Sequence, residues 1–205
     1  MVRRFTMKAW LVVLFFVVVV SSVWADESSW QKSYRLETAG KYAEASTALE
    51  STNGSVDADF ALMRRGWLSY LQGRYNESVD FYGRAIGKNP KSLEARNGIT
   101  LPLLAQQRWR EAAFHAHQVI TESAWDYTAH QRLMVAEEGQ REWKTLAEHA
   151  ARVADRYPSD ATALVYLARA YAWLGEINAA KRAYGRVLSR IPVHIEATSY
   201  MAGKP

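Results

Sequence analysis

The sequence predicts an all-α protein built from stacked pairs of helices, and three observations support this. A bulky residue recurs every 33 or 34 residues, at Tyr42, Tyr75, Trp109, Trp143 and Ile177. Three prolines fall on the same grid, at Pro90, Pro158 and Pro192. Within each unit the apolar residues are spaced by three and four, which is the helical period. Unrelated helices would not keep one phase over five units.

Each unit is predicted to contain two helices. In the second unit we expect helices over residues 59–72 and 75–88, joined by a turn at Gly73 and ended by Pro90, because proline cannot continue a helix. The units that follow from this phase span approximately residues 26–58, 59–92, 93–126, 127–160 and 161–194. A truncated capping helix and tail, residues 195–205, follow them. This stub is interpreted either as a short cap or as a surface that a partner covers.

The second and fifth units resemble the tetratricopeptide repeat family, whose 34-residue unit carries W-x2-L-G-x2-Y, A-x3-F and P. The slots of this pattern are occupied in the second unit by Gly66, Ser78, Tyr82 and Pro90, and in the fifth by Leu167, Ala168, Tyr171, Ala180, Tyr184 and Pro192. The resemblance implies a right-handed superhelical solenoid whose first helices line a concave groove.

The third and fourth units depart from the pattern. Met134 stands where a glycine is expected and Leu146 where a small residue is expected, so we expect the fourth helix pair to be spread wider. Pro102 falls inside the first helix of the third unit, where it removes a hydrogen bond at a cost of about 3 kcal/mol. We therefore predict a kink or a late helix start there.

Residues 1–25 have the pattern of a secretory signal peptide. Arg3, Arg4 and Lys8 precede an apolar run over residues 9–20, and Ala25 offers a small residue for cleavage. The alternative is an uncleaved anchor, since residues 9–25 just reach the length that spans a bilayer. Both interpretations predict export, to the periplasm first of all, with secretion or anchoring to the membrane as alternatives.

Composition excludes several classes of function. The chain has no cysteine, so the exported part would be held together by packing alone. Three of its 26 basic residues lie in the signal segment, which leaves 23 against 21 acidic residues, too small an excess to indicate a nucleic-acid-binding protein. His115 and His117 would point to different faces of a helix, and no metal, cofactor or catalytic motif emerges. We expect no enzymatic activity and no cofactor.

The first helix of each pair is the best candidate for the binding surface, because in the tetratricopeptide repeat family these helices line the groove. We therefore predict a non-enzymatic scaffold of the cell envelope that binds a protein partner in this groove. The alternative is a role in polysaccharide binding or export, because aromatic faces also stack on sugar rings. The candidate groove residues are Trp30, Tyr34, Phe60, Met63, Trp67, Tyr70, Asn97, Leu101, Leu104, Gln131, Val165, Arg169 and Trp173.

Overall fold

The computed structural model describes residues 27–52 and 57–203, and the predicted signal segment with its cleavage site at Ala25 lies outside them. The described residues form α-helices and one short 3₁₀ helix, Glu50–Thr52, and contain no strand. None of these helices is long and apolar enough to cross a membrane. The α-helices are α1 Ser29–Thr38, α2 Tyr42–Thr47, α3 Ala58–Leu71, α4 Tyr75–Lys88, α5 Leu93–Ala105, α6 Trp109–Glu122, α7 Tyr127–Gly139, α8 Trp143–Arg156, α9 Ala161–Trp173, α10 Ile177–Leu188 and α11 Ile195–Met201.

The turns inside the pairs repeat the 34-residue phase in their backbone geometry. A residue with positive φ lies two positions before each second helix, at Gly40, Gly73, Gln107, Arg141 and Gly175. Glycine adopts this left-handed conformation at no steric cost, whereas other residues are strained by about 1–2 kcal/mol. The third and fourth turns therefore keep the positive φ of the repeat although Gln107 and Arg141 replace glycine there.

The pairs stack so that the first helices form one face. Contacts join α3 to α5, α5 to α7 and α7 to α9, and each second helix packs against the first helices before and after it. Tyr82 shows why small residues are needed: its ring lies between α3 and α5, where a β-carbon on Gly66 or Gly98 would come within 2.8 or 2.2 Å of it. The result is the predicted all-helical solenoid.

Pro102 does not delay its helix, so the predicted late start is wrong. Helix α5 begins at Leu93, because the Ser92 hydroxyl accepts the Ala95 amide and caps it, and helical structure continues through residues 101–103. Pro102 lies in the last turn of α5, and its ring is almost fully buried. The missing N–H thus removes one bond near the helix end, while the ring fills the core.

The fourth pair is the least closely packed of the four long pairs, which confirms the expectation drawn from Met134 and Leu146. Both side chains are fully buried, in a core cluster that also contains residues of α9 and α10. At the C-terminal end, α11 packs on the last pair through Ala197 and through Tyr200, whose ring lies 4.7 Å from that of Tyr184. Helix α11 therefore packs against the last pair, while its Ile195 and Met201 side chains remain exposed.

Candidate binding groove

A pocket of about 240 Å³ opens on the first helices at the N-terminal end of the solenoid. Four predicted groove residues line it: Tyr34 from α1 and Phe60, Met63 and Trp67 from α3. The α3 residues share one face because they are spaced by three and four. Tyr34 and Phe60 are 48% and 41% exposed, so this pocket presents apolar surface to solvent.

Two further predicted residues extend the aromatic surface. The Trp30 ring lies 5.1 Å from that of Phe60, and the Tyr70 ring stacks on Trp67 at 5.7 Å. Trp30 also packs against the buried cluster that contains Leu36 and Leu49, so it joins the aromatic surface to the core.

Glu37, which the sequence argument missed, holds the pocket wall in place. One carboxylate oxygen accepts the Trp67 indole N–H at 2.7 Å, and the other accepts the Arg64 guanidinium at 2.6 Å. Arg64 is buried, and its guanidinium lies 3.5 Å from the centre of the Tyr34 ring, a cation–π contact. The indole N–H of Trp67 and the guanidinium of Arg64 are therefore bonded inside the protein, while the exposed Glu94 of α5 also lines the pocket.

The four predicted residues in the middle of the first-helix face do not line this pocket. Asn97 donates its side-chain amide to Asp126, and Gln131 donates to the Tyr127 hydroxyl. Leu101 and Leu104 are half-buried. The structure therefore spreads these four predicted residues along the groove and does not converge them on one site.

The last predicted residues surround an ion-pair network. Arg169 donates to Glu196 at 2.6 and 2.8 Å and to Glu138 at 3.2 Å, and Glu196 also accepts the Tyr184 hydroxyl at 2.6 Å. The Arg169 hydrogen bonds hold the pKa of the Glu196 carboxyl below its usual range. Val165 lies beside Arg169 in a cleft of about 210 Å³.

Trp173 ends this face. It is 69% exposed, and its ring stacks on that of Trp143 with the planes only 5° apart. It lies apart from the N-terminal pocket.

Arg132 on α7 is a second residue that the sequence argument missed. Its side chain is half-buried, its Nε is buried without a hydrogen-bond partner, and no ion pair to it exists in the described part of the chain. Three tyrosines from α3, α4 and α9, namely Tyr70, Tyr82 and Tyr166, raise the pKa of Arg132 and so oppose the effect of burial. Burial lowers the pKa of Arg132 and raises those of Tyr82 and Tyr166.

A buried polar network lies between α7 and α8. His130 Nε2 faces the carbonyl oxygen of Ala124 at 3.1 Å, so Nε2 carries the proton and Nδ1 accepts one from His149 Nε2 at 2.8 Å. His149 Nδ1 lies 2.8 Å from Glu137 Oε2. Burial lowers the pKa of His130, the charges of His149 and Arg152 act in the same direction, and the Ala124 carbonyl and Asp126 oppose them.

This network does not form an accessible site. His130, His149 and Glu137 are all at least 94% buried. The sequence analysis did not identify this network, although His130 and Glu137 are seven residues apart and so share one face of α7. Within residues 27–52 and 57–203 no group of three histidine or acidic side chains could hold a metal ion.

The comparisons with known proteins follow the repeat pattern. The family model of the tetratricopeptide repeat matches residues 60–92 and 162–192, which correspond to the second and fifth units. No curated protein matches the sequence significantly.

Solved structures share the fold over most of the chain. A tetratricopeptide repeat protein from Parabacteroides merdae is 14% identical over 86% of this chain and 71% of its own, with a TM-score of 0.78. YrrB, described as a TPR protein with an unusual peptide-binding site, is 14% identical over 85% and 90%, with a TM-score of 0.73. MamA from Desulfovibrio magneticus RS-1 is 18% identical over 80% and 93%, with a TM-score of 0.72. At these low sequence identities, the similarity shows a shared fold and nothing further.

Proposed function

Because this chain is a tetratricopeptide repeat protein, we propose that it is a non-enzymatic scaffold of the cell envelope that binds a partner protein segment in its first-helix groove. The repeat fold supports a role in protein–protein interaction in general, since stacked repeats offer an extended concave surface. The observation that carries the finer proposal is the exposed aromatic pocket formed by Tyr34, Phe60, Met63 and Trp67.

The construction of that pocket favours binding over structural packing alone. Side chains that served only the core would be buried, yet Tyr34 and Phe60 keep nearly half of their surface in water. Glu37 fixes Trp67 and Arg64 in position before any partner arrives. A preformed apolar wall lowers the entropy that ordering the site would cost on binding.

The groove is tested by selecting a 12-residue peptide from a display library on the purified full chain and measuring its affinity by fluorescence anisotropy. We expect the double variant Tyr34→Ser/Phe60→Ser to weaken binding at least about tenfold, because each exposed ring would lose apolar contact with the peptide. The control is Phe114→Ser on α6, where a 57% exposed ring lies on a second helix. Equal losses in both variants would refute binding in the groove.

The envelope location rests on residues 1–25 and has its own test. We propose that the segment directs export and is cleaved after Ala25. Mass spectrometry of the protein from fractionated source cells should find Asp26 at the N-terminus in the soluble envelope fraction. Intact Met1 in the membrane fraction would favour the anchor, and intact Met1 in the cytosol would refute export.

Polysaccharide binding is a second candidate because of Trp173. Its exposed ring, held parallel to Trp143, offers the flat apolar face on which a sugar ring stacks. Titration of a neutral and an acidic oligosaccharide should then shift tryptophan fluorescence saturably, and Trp173→Ala should abolish the shift. An unchanged response in that variant would remove the reason for this candidate.

A further inference from the structure

The repeat phase gives Glu94 and Glu196 the same position, three units apart. They are separated by 102 residues, and each lies in the first turn of its helix, α5 and α11. The same separation relates Tyr82 to Tyr184, on the second helices α4 and α10 that precede them. Carboxylate and phenol therefore recur together, as an N-terminal copy (Tyr82 and Glu94) and a C-terminal copy (Tyr184 and Glu196).

In the C-terminal copy, an arginine binds the carboxylate. Arg169 on α9 donates to the two oxygens of Glu196 at 2.6 and 2.8 Å, the paired geometry in which a guanidinium holds a carboxylate. Tyr184 donates its hydroxyl to the same carboxylate at 2.6 Å. This copy shows which cation fits the arrangement of carboxylate, phenol and first helix.

In the N-terminal copy, the arginine is absent. The residue 102 positions before Arg169 is Trp67, which also lies on a first helix. Glu94 accordingly makes no ion pair or side-chain hydrogen bond, and the Tyr82 hydroxyl makes no hydrogen bond, within the described residues. Glu94, Tyr82 and Trp67 all line the aromatic pocket of about 240 Å³. The cleft of about 210 Å³ at Arg169 is the equivalent place in the C-terminal copy.

The charges around the pocket favour a cation as its ligand. Arg64 also lines the pocket but is already paired with Glu37 at 2.6 Å, so these two charges offset each other. The exposed carboxylate of Glu94 remains, among aromatic rings whose faces also attract cations. Arg132 opposes this attraction, since its charge acts on Tyr82, but it does not line the pocket.

We propose that the partner segment inserts an arginine side chain into this pocket and that its guanidinium pairs with Glu94. This contact takes the place that Arg169 fills beside Glu196. The inference rests on the proposed binding of a peptide in the groove and specifies its chemistry. The methylene stem of the arginine lies along the apolar wall while its charged end reaches the carboxylate.

The pocket favours a peptide over a cationic polysaccharide. The Trp67 indole N–H is already donated to Glu37, and Phe60 and Met63 carry no polar hydrogen. An amino sugar would bring hydroxyl groups to this wall and find few partners, whereas the stem of an arginine needs none. An oligomer of glucosamine is kept as an outcome of the test.

The test uses peptides selected on the purified full chain and analogues in which citrulline replaces each arginine in turn. Citrulline keeps the shape of arginine and removes its charge. We expect arginine to be enriched and one citrulline analogue to bind about tenfold more weakly, as loss of a charge-assisted hydrogen bond implies. Glu94→Gln should remove this difference. The control Glu148→Gln removes an exposed carboxylate on α8 and should preserve it.

Reversing the charge provides a second, independent variant. Glu94→Lys should bind an analogue with glutamate in place of the critical arginine more tightly than it binds the arginine peptide, because like charges now repel and opposite charges attract. The wild type should show the opposite order. The same order in both proteins would contradict direct pairing with Glu94.

The failures are distinguishable. Peptides that need Phe60 but tolerate citrulline at every arginine, or that bind Glu94→Gln as tightly as the wild type, would overturn the arginine site and leave the groove intact. Glu94 would then be a solvated carboxylate that stabilises the start of α5. If no peptide is selected, the groove and the arginine site fall together. If a glucosamine oligomer binds through Glu94 and arginine peptides do not, the assignment to a peptide partner is wrong.

Discussion

Substituting Gly98 by alanine tests how Tyr82 holds two units together. The β-carbon of an alanine at residue 98 would lie 2.2 Å from Cε1 and 2.6 Å from Cζ of Tyr82, and the shorter distance is more than 1 Å inside ordinary contact. The ring cannot withdraw, because a β-carbon on Gly66, on α3, would already meet it at 2.8 Å. Helix α5 and Tyr82 must therefore move apart.

The magnitude follows from two opposing effects. Overpacking of a close-packed core costs about 1–3 kcal/mol, and this site lies at the upper end because a rigid ring is squeezed on both faces. Alanine gains about 1 kcal/mol over glycine in a helix. The net loss of unfolding free energy is about 2 kcal/mol, which for a chain of this length lowers the Tm by about 4–8 °C.

The assay is thermal unfolding followed by circular dichroism, with Gly83→Ala as the matched control. Gly83 lies on α4, is exposed, and has no atom within 4 Å of its would-be β-carbon. The same substitution should there raise the Tm by about 2–4 °C, because only the gain in helix propensity remains. Equal shifts of either sign in the two variants would refute the packing argument.

Two further predictions concern the turns and the buried histidines. Arg141→Gly should raise the free energy of unfolding by about 1 kcal/mol, because glycine adopts positive φ without strain, and Gly175→Ala should lower it by about as much, because alanine does not. Urea unfolding measures both changes, and shifts of the same sign would contradict the reasoning. The lowered pKa of His130 means that the unfolded chain takes up its proton first, so stability should fall as pH drops below about 6.5. His130→Gln should reduce this loss of stability at low pH, whereas His117→Gln, at an exposed position, should not. Identical pH profiles of the two variants would show that His130 does not cause the loss.

The fold was predictable because its signal is repeated. Bulky residues such as Tyr75 and turn residues such as Gly73 recur at the same position of each unit. A local preference that would be weak evidence in one unit therefore becomes strong evidence over five. Pro102 was misjudged because the cost of proline depends on where its helix ends and what its ring packs against. A sequence pattern does not show where the helix ends to within one turn, nor which residues surround the proline ring.

The candidate groove was predictable only in part. The spacing of Phe60, Met63 and Trp67 marks one face of a helix, and the structure places all three in one pocket. Glu37 and Arg132 were missed because their roles depend on residues in other units. A charged residue on a helix is usually solvated, and nothing in the sequence near Arg132 indicates that its Nε is buried without a hydrogen-bond partner.

Site-specific photocrosslinking in the source cells tests the central claim most directly. A photoreactive phenylalanine analogue would replace Phe60 in the groove or Phe114 on α6, two exposed rings on first and second helices respectively. The account predicts a discrete protein adduct at position 60, mapped by mass spectrometry to one partner segment, and none at position 114. Adducts at position 114 with none at position 60 would contradict it.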